Sequence, residues 1–275
     1  MRLTIRSLVL NVGRKSSVKG EQDKELIRRR FSRHLDDYET EATVQRDIAV
    51  RLGESWEEHL PAELPRVLEI GCGTGFLTRQ LLSRHRIGRL YLNDLVEEAP
   101  LRLKERLADA FPAVEMVPLP GDVERLDWPE APDAVAAASV LQWFDDLPGF
   151  FGRVAARLKK GGWLGFNLFG PANLVEIRTL TGQGLECPES DTVRKWLERD
   201  FEVRMLEESV IRPEFDSPLD VLHHLRRTGV TGTGTFRWSK TSLRVFEAEY
   251  RTRFVTESGR VSLTWDVIYV LCRKK

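Results

Sequence analysis

Net charge is the first thing this chain lacks: 42 Lys and Arg balance 42 Asp and Glu. That balance argues against a protein that coats nucleic acid by charge alone, so no nucleic-acid partner is expected. Long apolar runs are also missing. No window approaches the ~18 residues that a membrane span needs, and no membrane partner is expected. The three cysteines, Cys72, Cys187 and Cys272, stand far apart with no CxxC pair or histidine cluster beside them. They fit neither a zinc site nor a disulfide framework, which makes a reducing cytoplasm the expected setting. His223 and His224 have no third ligand candidate nearby, so no metal is expected. Internal repeats and low-complexity tracts are absent as well.

What is present is uneven. Residues 1–20 carry Arg2, Arg6, Arg14, Lys15 and Lys19 with no acid. The run "LVLNV" is too short for a secretory apolar core and no A-x-A site follows, so this segment is expected to be a disordered extension. Over residues 21–60, Ile27, Phe31 and Leu35, then Val44, Ile48 and Leu52, recur at four-residue spacing and predict amphipathic helices. "LPAELP" at 60–65 breaks that pattern. Beyond it, predicted strands at 66–70, 89–93, 114–118, 133–139 and 162–168 alternate with helices at 75–84, 97–110 and 147–159. This α/β alternation implies a mostly parallel sheet with helices on both faces. After Phe169 the spacing predicts helices at 173–181 and 190–199, a strand at 201–212, helices at 217–228 and 240–253, and a final strand at 261–273. The last two strands are expected to pair antiparallel at the sheet edge. Residues 61–212 and 259–275 would then form the core, with 213–258 as a helical insertion.

The stretch "RVLEIGCGTGFLTRQLL" at 66–82 carries the chemistry. Its glycines are Gly71, Gly73 and Gly75, whereas the dinucleotide fingerprint needs a glycine where Phe76 stands. A helix N-terminus that holds pyrophosphate wants no nearby anion, yet Glu69 sits just before the loop. A cationic nucleoside fits better. S-adenosylmethionine has ribose and adenine, no phosphate, an ammonium and a sulfonium. Asp94, ending the second strand, is placed to accept from both ribose hydroxyls. Asp122, in "GDVERL", is placed to accept from the adenine amino group. Leu95 and Val123 complete the expected donor-binding set. These residues at successive strand ends resemble the class of S-adenosylmethionine-dependent methyltransferases. That resemblance implies a Rossmann-like seven-stranded sheet, mostly parallel with the last strand antiparallel, and an N-terminal helical lid.

Methyl transfer is an in-line displacement at a positive sulfur centre, so alignment is the main demand on the enzyme. The Asn/Asp-Pro-Pro-aromatic run of enzymes that methylate base amines is missing, since the fourth strand leads into "AASVLQWFDDL". A carboxylate acceptor is already nucleophilic at neutral pH and needs no general base. That suits a site offering Gln142 and Trp143.

More specifically, the chain resembles the malonyl-acyl-carrier-protein O-methyltransferases of biotin synthesis. The matching pattern is Phe31, Arg33, Tyr38, Glu39, Gln45 and Arg46; Leu77 and Thr78 after the glycines; the run at 121–126; Gln142 and Trp143; Leu225 to Thr231; and Leu263, Thr264 and Trp265. Two positions depart from it: Ala137-Ala138 stand where Ser-Asn is common, and Trp265 where Tyr is common. The resemblance implies methyl transfer to the free carboxylate of a malonyl thioester on acyl carrier protein, with Tyr38, Gln142 and Trp143 as the catalytic set. S-adenosylhomocysteine is the product left by the donor. Carrier proteins are acidic, and residues 221–254 set seven cations, among them Arg226, Arg227, Arg237 and Lys240, against only Glu247 and Glu249. These four are the expected carrier-protein contacts, and a monomer is the expected assembly. A carboxyl methyltransferase for a small free diacid, and a non-catalytic S-adenosylmethionine-binding protein, are the alternatives.

Overall fold

A computed structural model describes residues 24–35, 38–129, 131–229 and 238–275. The basic segment 1–20 and Arg237 lie outside the described residues.

Three helices lead in: α1 (Lys24–His34), the short α2 (Tyr38–Glu41) and α3 (Thr43–His59). Five strands then run in parallel: β1 (Glu63–Ile70), β2 (Arg86–Asp94), β3 (Glu115–Pro120), β4 (Ala134–Ala137) and β5 (Trp163–Phe169). Between them lie α4 (Phe76–Arg84), α5 (Glu98–Leu107), a 3₁₀ turn (Leu141–Trp143) and α6 (Leu147–Arg157). The chain continues through α7 (Val175–Thr181), α8 (Ser190–Leu197), β6 (Phe201–Ile211), β7 (Glu214–Phe215), α9 (Pro218–Arg227), α10 (Lys240–Phe254), β8 (Val261–Ser262) and β9 (Trp265–Lys274). The seven-stranded sheet has the order β3-β2-β1-β4-β5-β9-β6, with β9 antiparallel to both neighbours.

The last two long strands pair antiparallel at one edge of the sheet, as the sequence pattern predicts. β9 lies inside the sheet and β6 forms the edge. The cause is side-chain polarity. Residues 265–272 of β9 are all buried, so both faces of that strand need cover, whereas β6 carries Glu202, Arg204, Glu207 and Glu208, which an edge leaves in water. The final strand is also broken in two. Buried Glu176 accepts from Thr264 N at 3.0 Å and from Thr264 Oγ1 at 2.6 Å, which pulls the chain out of register between β8 and β9. Nor is the insertion wholly helical, because β7 and β8 pair as a small ribbon at its base.

Alternation along the strands gives the sheet two apolar faces. Val67, Leu90 and Leu271 face the stripe Val44–Ile48–Leu52–Trp56 of α3, and Leu68, Val135 and Phe166 face Phe151 and Val154 of α6. Gly165 is required in β5, since a Cβ there would stand 2.1 Å from Trp56 Nε1. Strand order reverses between β1 and β4, which opens a crevice at the carboxyl ends of those strands.

Candidate active site

The loop after β1 begins in that crevice. Cys72 N donates to Asn93 O, Gly73 N to Asp94 Oδ2 and Gly75 N to Cys72 O, each at 2.8 Å. Gly71, Gly73 and Gly75 take φ of +69°, +49° and +90°, the left-handed region that glycine enters without strain. Their reasons differ. A Cβ at Gly71 would meet Val140 at 2.7 Å and one at Gly75 would meet Leu103 at 2.4 Å, so both allow close packing. A Cβ at Gly73 would meet nothing within 4 Å. It would project into open space.

That space is a cavity of about 1100 Å³ including its mouth. Glu69, Gly71, Gly73, Asp94, Leu95, Asp122 and Val123 line it from β1, β2 and β3, while Tyr38 and Trp143 line it from α2 and the 3₁₀ turn. Gly75 stands behind the wall. Gln142 is not a wall residue either. Its amide Nε2 donates to Ser139 O at 2.8 Å and so holds the turn after β4, while its Oε1 is buried without a partner among the described residues.

Glu69 is buried and accepts from Thr78 Oγ1 at 2.7 Å. Burial, with Asp94 nearby, pushes its carboxyl up to about 8. Burial pushes Asp94 up to about 6, against the stabilising amides of Val96 and Gly73. Both folded values lie above the ordinary carboxylate range, so the folded, empty protein holds more protons than the unfolded chain. The pair's contribution to stability is therefore fully present below about pH 4 and is lost as pH rises through 6 and then 8. A cationic ligand reverses this, because it favours the ionised acid. Donor affinity measured by calorimetry should rise up to about pH 6 as Asp94 ionises and on to about pH 8 as Glu69 does, by at most about tenfold per unit for each group, and level off above. Glu69→Gln should flatten the upper part of that rise. An unchanged profile in the variant would remove Glu69 from the binding of the cation.

Tyr38 stacks on Phe76 at 6.0 Å and meets Phe31 edge-on at 6.1 Å. Burial and the charge of Asp94 raise its phenol, which stays protonated and can donate but not act as a base. Trp143 is buried against Phe31, and its indole N–H has no partner among the described residues. Asp122 already has a partner: Lys24 Nζ of α1 bonds its two oxygens at 2.9 and 2.8 Å and also bonds Glu124. The lid helix is thus tied to the very carboxylate that the sequence offers to adenine, and Ile27 and Phe31 behind it close the cavity.

Sequence reasoning did not single out three further polar groups. Gln45, Thr74 and Ser139 line the cavity, and each has a buried side-chain oxygen without a partner among the described residues. Gln45 belonged to the Gln-Arg pattern and Thr74 lies between two of the glycines, so those positions carried a signal. Ser139 carried none. Of the two departures from the family pattern, Ala138 lines the cavity and Ala137 is buried in β4. Trp265 lies away from it, packed on Phe169 at 5.5 Å and on His224 at 6.2 Å. His223 is exposed while His224 is buried, so the two adjacent imidazoles diverge. Of the basic residues, Arg226 and Lys240 are exposed, whereas Arg227 pairs with Glu41 of the lid.

A cationic nucleoside fits these walls. Gly73 leaves room for close backbone approach, Glu69 and Asp94 supply negative charge, and the orphaned oxygens of Thr74 and Gln45 accept hydrogen bonds.

Comparison with known proteins agrees with this. A model of the methyltransferase domain matches residues 67–162. Malonyl-[acyl-carrier protein] O-methyltransferase of Haemophilus ducreyi is 40% identical over 252 residues, covering 92% of this chain and 97% of that one. The protein of the same name from Bacteroides fragilis is 39% identical over 251 residues, or 91% of this chain, which spans only 50% of that relative's length. Among solved structures, the N-methyltransferase NodS of Bradyrhizobium japonicum, in complex with S-adenosyl-L-homocysteine, shares the fold with a TM-score of 0.51 at 17% identity, over 90% of this chain and 98% of that one. The chain belongs to the malonyl-[acyl-carrier protein] O-methyltransferase family of S-adenosylmethionine-dependent methyltransferases.

Proposed function

We propose that this protein transfers a methyl group from S-adenosylmethionine to the free carboxylate of a malonyl thioester carried on acyl carrier protein, the opening step in making the pimeloyl moiety of biotin. One observation supports the carboxylate most directly. Among the described residues, the acceptor end of the cavity, around Tyr38, Ser139 and Trp143, offers neutral donors and no histidine or free lysine to act as a base. The cavity's two cations are both engaged, Lys24 with Asp122 and Arg28 with Glu25. An amine or alcohol acceptor needs a proton removed; a carboxylate does not.

Bound S-adenosylmethionine supplies an electrophilic methyl on a positive sulfur. The chain's own residues do the rest. Glu69 and Asp94 hold the donor's cationic and hydroxylated parts, the glycine loop fixes its depth, and α1 and α2 exclude water over the reacting centre. Tyr38 donates to, and does not deprotonate, what lies beneath it. Masking the carboxylate as an ester lets apolar elongation sites accept the chain, since burying an unpaired carboxylate is costly.

Docking of the acidic carrier is placed on the insertion. Arg226, Lys240 and Arg244 are exposed and form no ion pair among the described residues. Arg226→Glu with Arg244→Glu should raise KM for the carrier-bound substrate about tenfold at low salt, shrinking as salt is added, while donor affinity stays constant. Equal loss of donor binding would mean that these residues serve folding. Arg227→Glu is a poorer probe, because it would set two carboxylates against each other at Glu41.

A further inference from the structure

The turn after β4 is built around one residue whose backbone is held from both sides. Ser139 adopts φ of +54°, in the left-handed region that costs a residue with a Cβ. Its N–H donates to Oδ1 of fully buried Asn167 at 2.7 Å, and its carbonyl accepts from Gln142 Nε2 at 2.8 Å. Two side chains thus hold the strained turn, and the hydroxyl is left over. Ser139 Oγ is buried and has no partner among the described residues, although Ser139 lines the cavity. Trp143, four residues further on at the end of the 3₁₀ turn, is 6% exposed and lines the same cavity, and its indole N–H has no partner among the described residues. Ala138, just before Ser139, also lines the cavity and adds only a methyl group.

Buried, unpaired donors on a strained turn are costly unless a ligand meets them. The geometry points to Ser139 Oγ–H and Trp143 Nε1–H as a two-donor cradle for the carboxylate of the methyl acceptor, with Asn167 and Gln142 as its positioning residues. This rests on the carboxyl transfer proposed above. Neutral donors suit the task. They fix and orient the carboxylate without pairing it to a cation, which would lower the nucleophilicity of the attacking oxygen. The same cradle selects against an acceptor that ends in an amide or ester, since such a group accepts less strongly.

Ser139→Ala and Ser139→Gly test this together, because glycine relieves the positive φ while both remove the hydroxyl. Each should raise KM for the malonyl-carrier substrate at least about tenfold, leave S-adenosylhomocysteine affinity within about twofold, and leave the melting temperature unchanged or, for glycine, higher. Normal acceptor kinetics in either variant would overturn the cradle. The acceptor panel also includes malonyl-coenzyme A and free malonate. If wild-type protein methylates one of these and not the carrier substrate, the proposed acceptor is wrong and Ser139 is judged by the same ratio on the one used. If none turns over, malonate binding to the S-adenosylhomocysteine-loaded protein decides: heat that is lost in both variants supports the cradle, and absent or unchanged heat overturns it.

Discussion

Gly73→Val is expected to abolish donor binding in a protein that remains folded. The added side chain meets no protein atom, since the position of its Cβ is open to the cavity. The folded state therefore bears only the cost of a β-branched residue at φ +49°, about 1–2 kcal/mol, within the ~5–15 kcal/mol that holds a typical domain together. The ligand bears the rest, because an isopropyl group stands where its backbone contact belongs. Calorimetry with S-adenosylhomocysteine should show no measurable binding, while circular dichroism melts only a few degrees lower. Gly75→Ala is the contrast. Its Cβ would lie 2.4 Å from Leu103 Cδ1, so that variant should lose stability first and affinity only as a consequence. If Gly73→Val binds donor within tenfold of wild type, the loop does not face the ligand.

The second large effect is expected at Asp94. Its two oxygens accept from Gly73 N and Val96 N, both at 2.8 Å, so one carboxylate ties the glycine loop to the end of β2. Asp94→Ala leaves both amides without a partner, at about 1–3 kcal/mol each where they are shielded from water. It also removes the acceptor proposed for the ribose hydroxyls. Donor affinity should fall at least about a hundredfold, as two charge-assisted bonds imply, with a clear drop in melting temperature. Asp94→Asn keeps one oxygen and should fall between the variant and wild type in both respects. A destabilised alanine variant with undiminished affinity would show that Asp94 serves the loop and not the ribose.

Much of this was legible in the sequence because it depends on local chemistry. Glycine spacing, the acid before it and the acids at two later strand ends are set by what a ligand needs within a few residues of each turn. Strand edges followed from alternation to within a few residues. What escaped depends on partners distant in sequence. The order of β9 and β6 within their edge pair was decided by the polarity of β6, more than fifty residues earlier, and the break at Leu263–Thr264 by Glu176, 88 residues away. Ser139 gave no signal because its role arises from Asn167 and Gln142 holding its backbone, and from φ, which no spacing reveals. Gln142 gave a signal beside Trp143, and its amide N–H also holds the turn through Ser139 O. Trp265 stood out as a departure in the motif and proved to belong to the packing around Phe169.

The central claim is the acceptor, and one measurement bears on it most directly. Methyl-labelled S-adenosylmethionine is mixed with this protein and malonyl-acyl carrier protein, and label on the carrier is followed before and after mild base. Base-labile incorporation that requires the malonyl group, and is absent with acetyl-carrier protein, is the predicted result. Label that appears only on a free diacid, or that survives base, would contradict it.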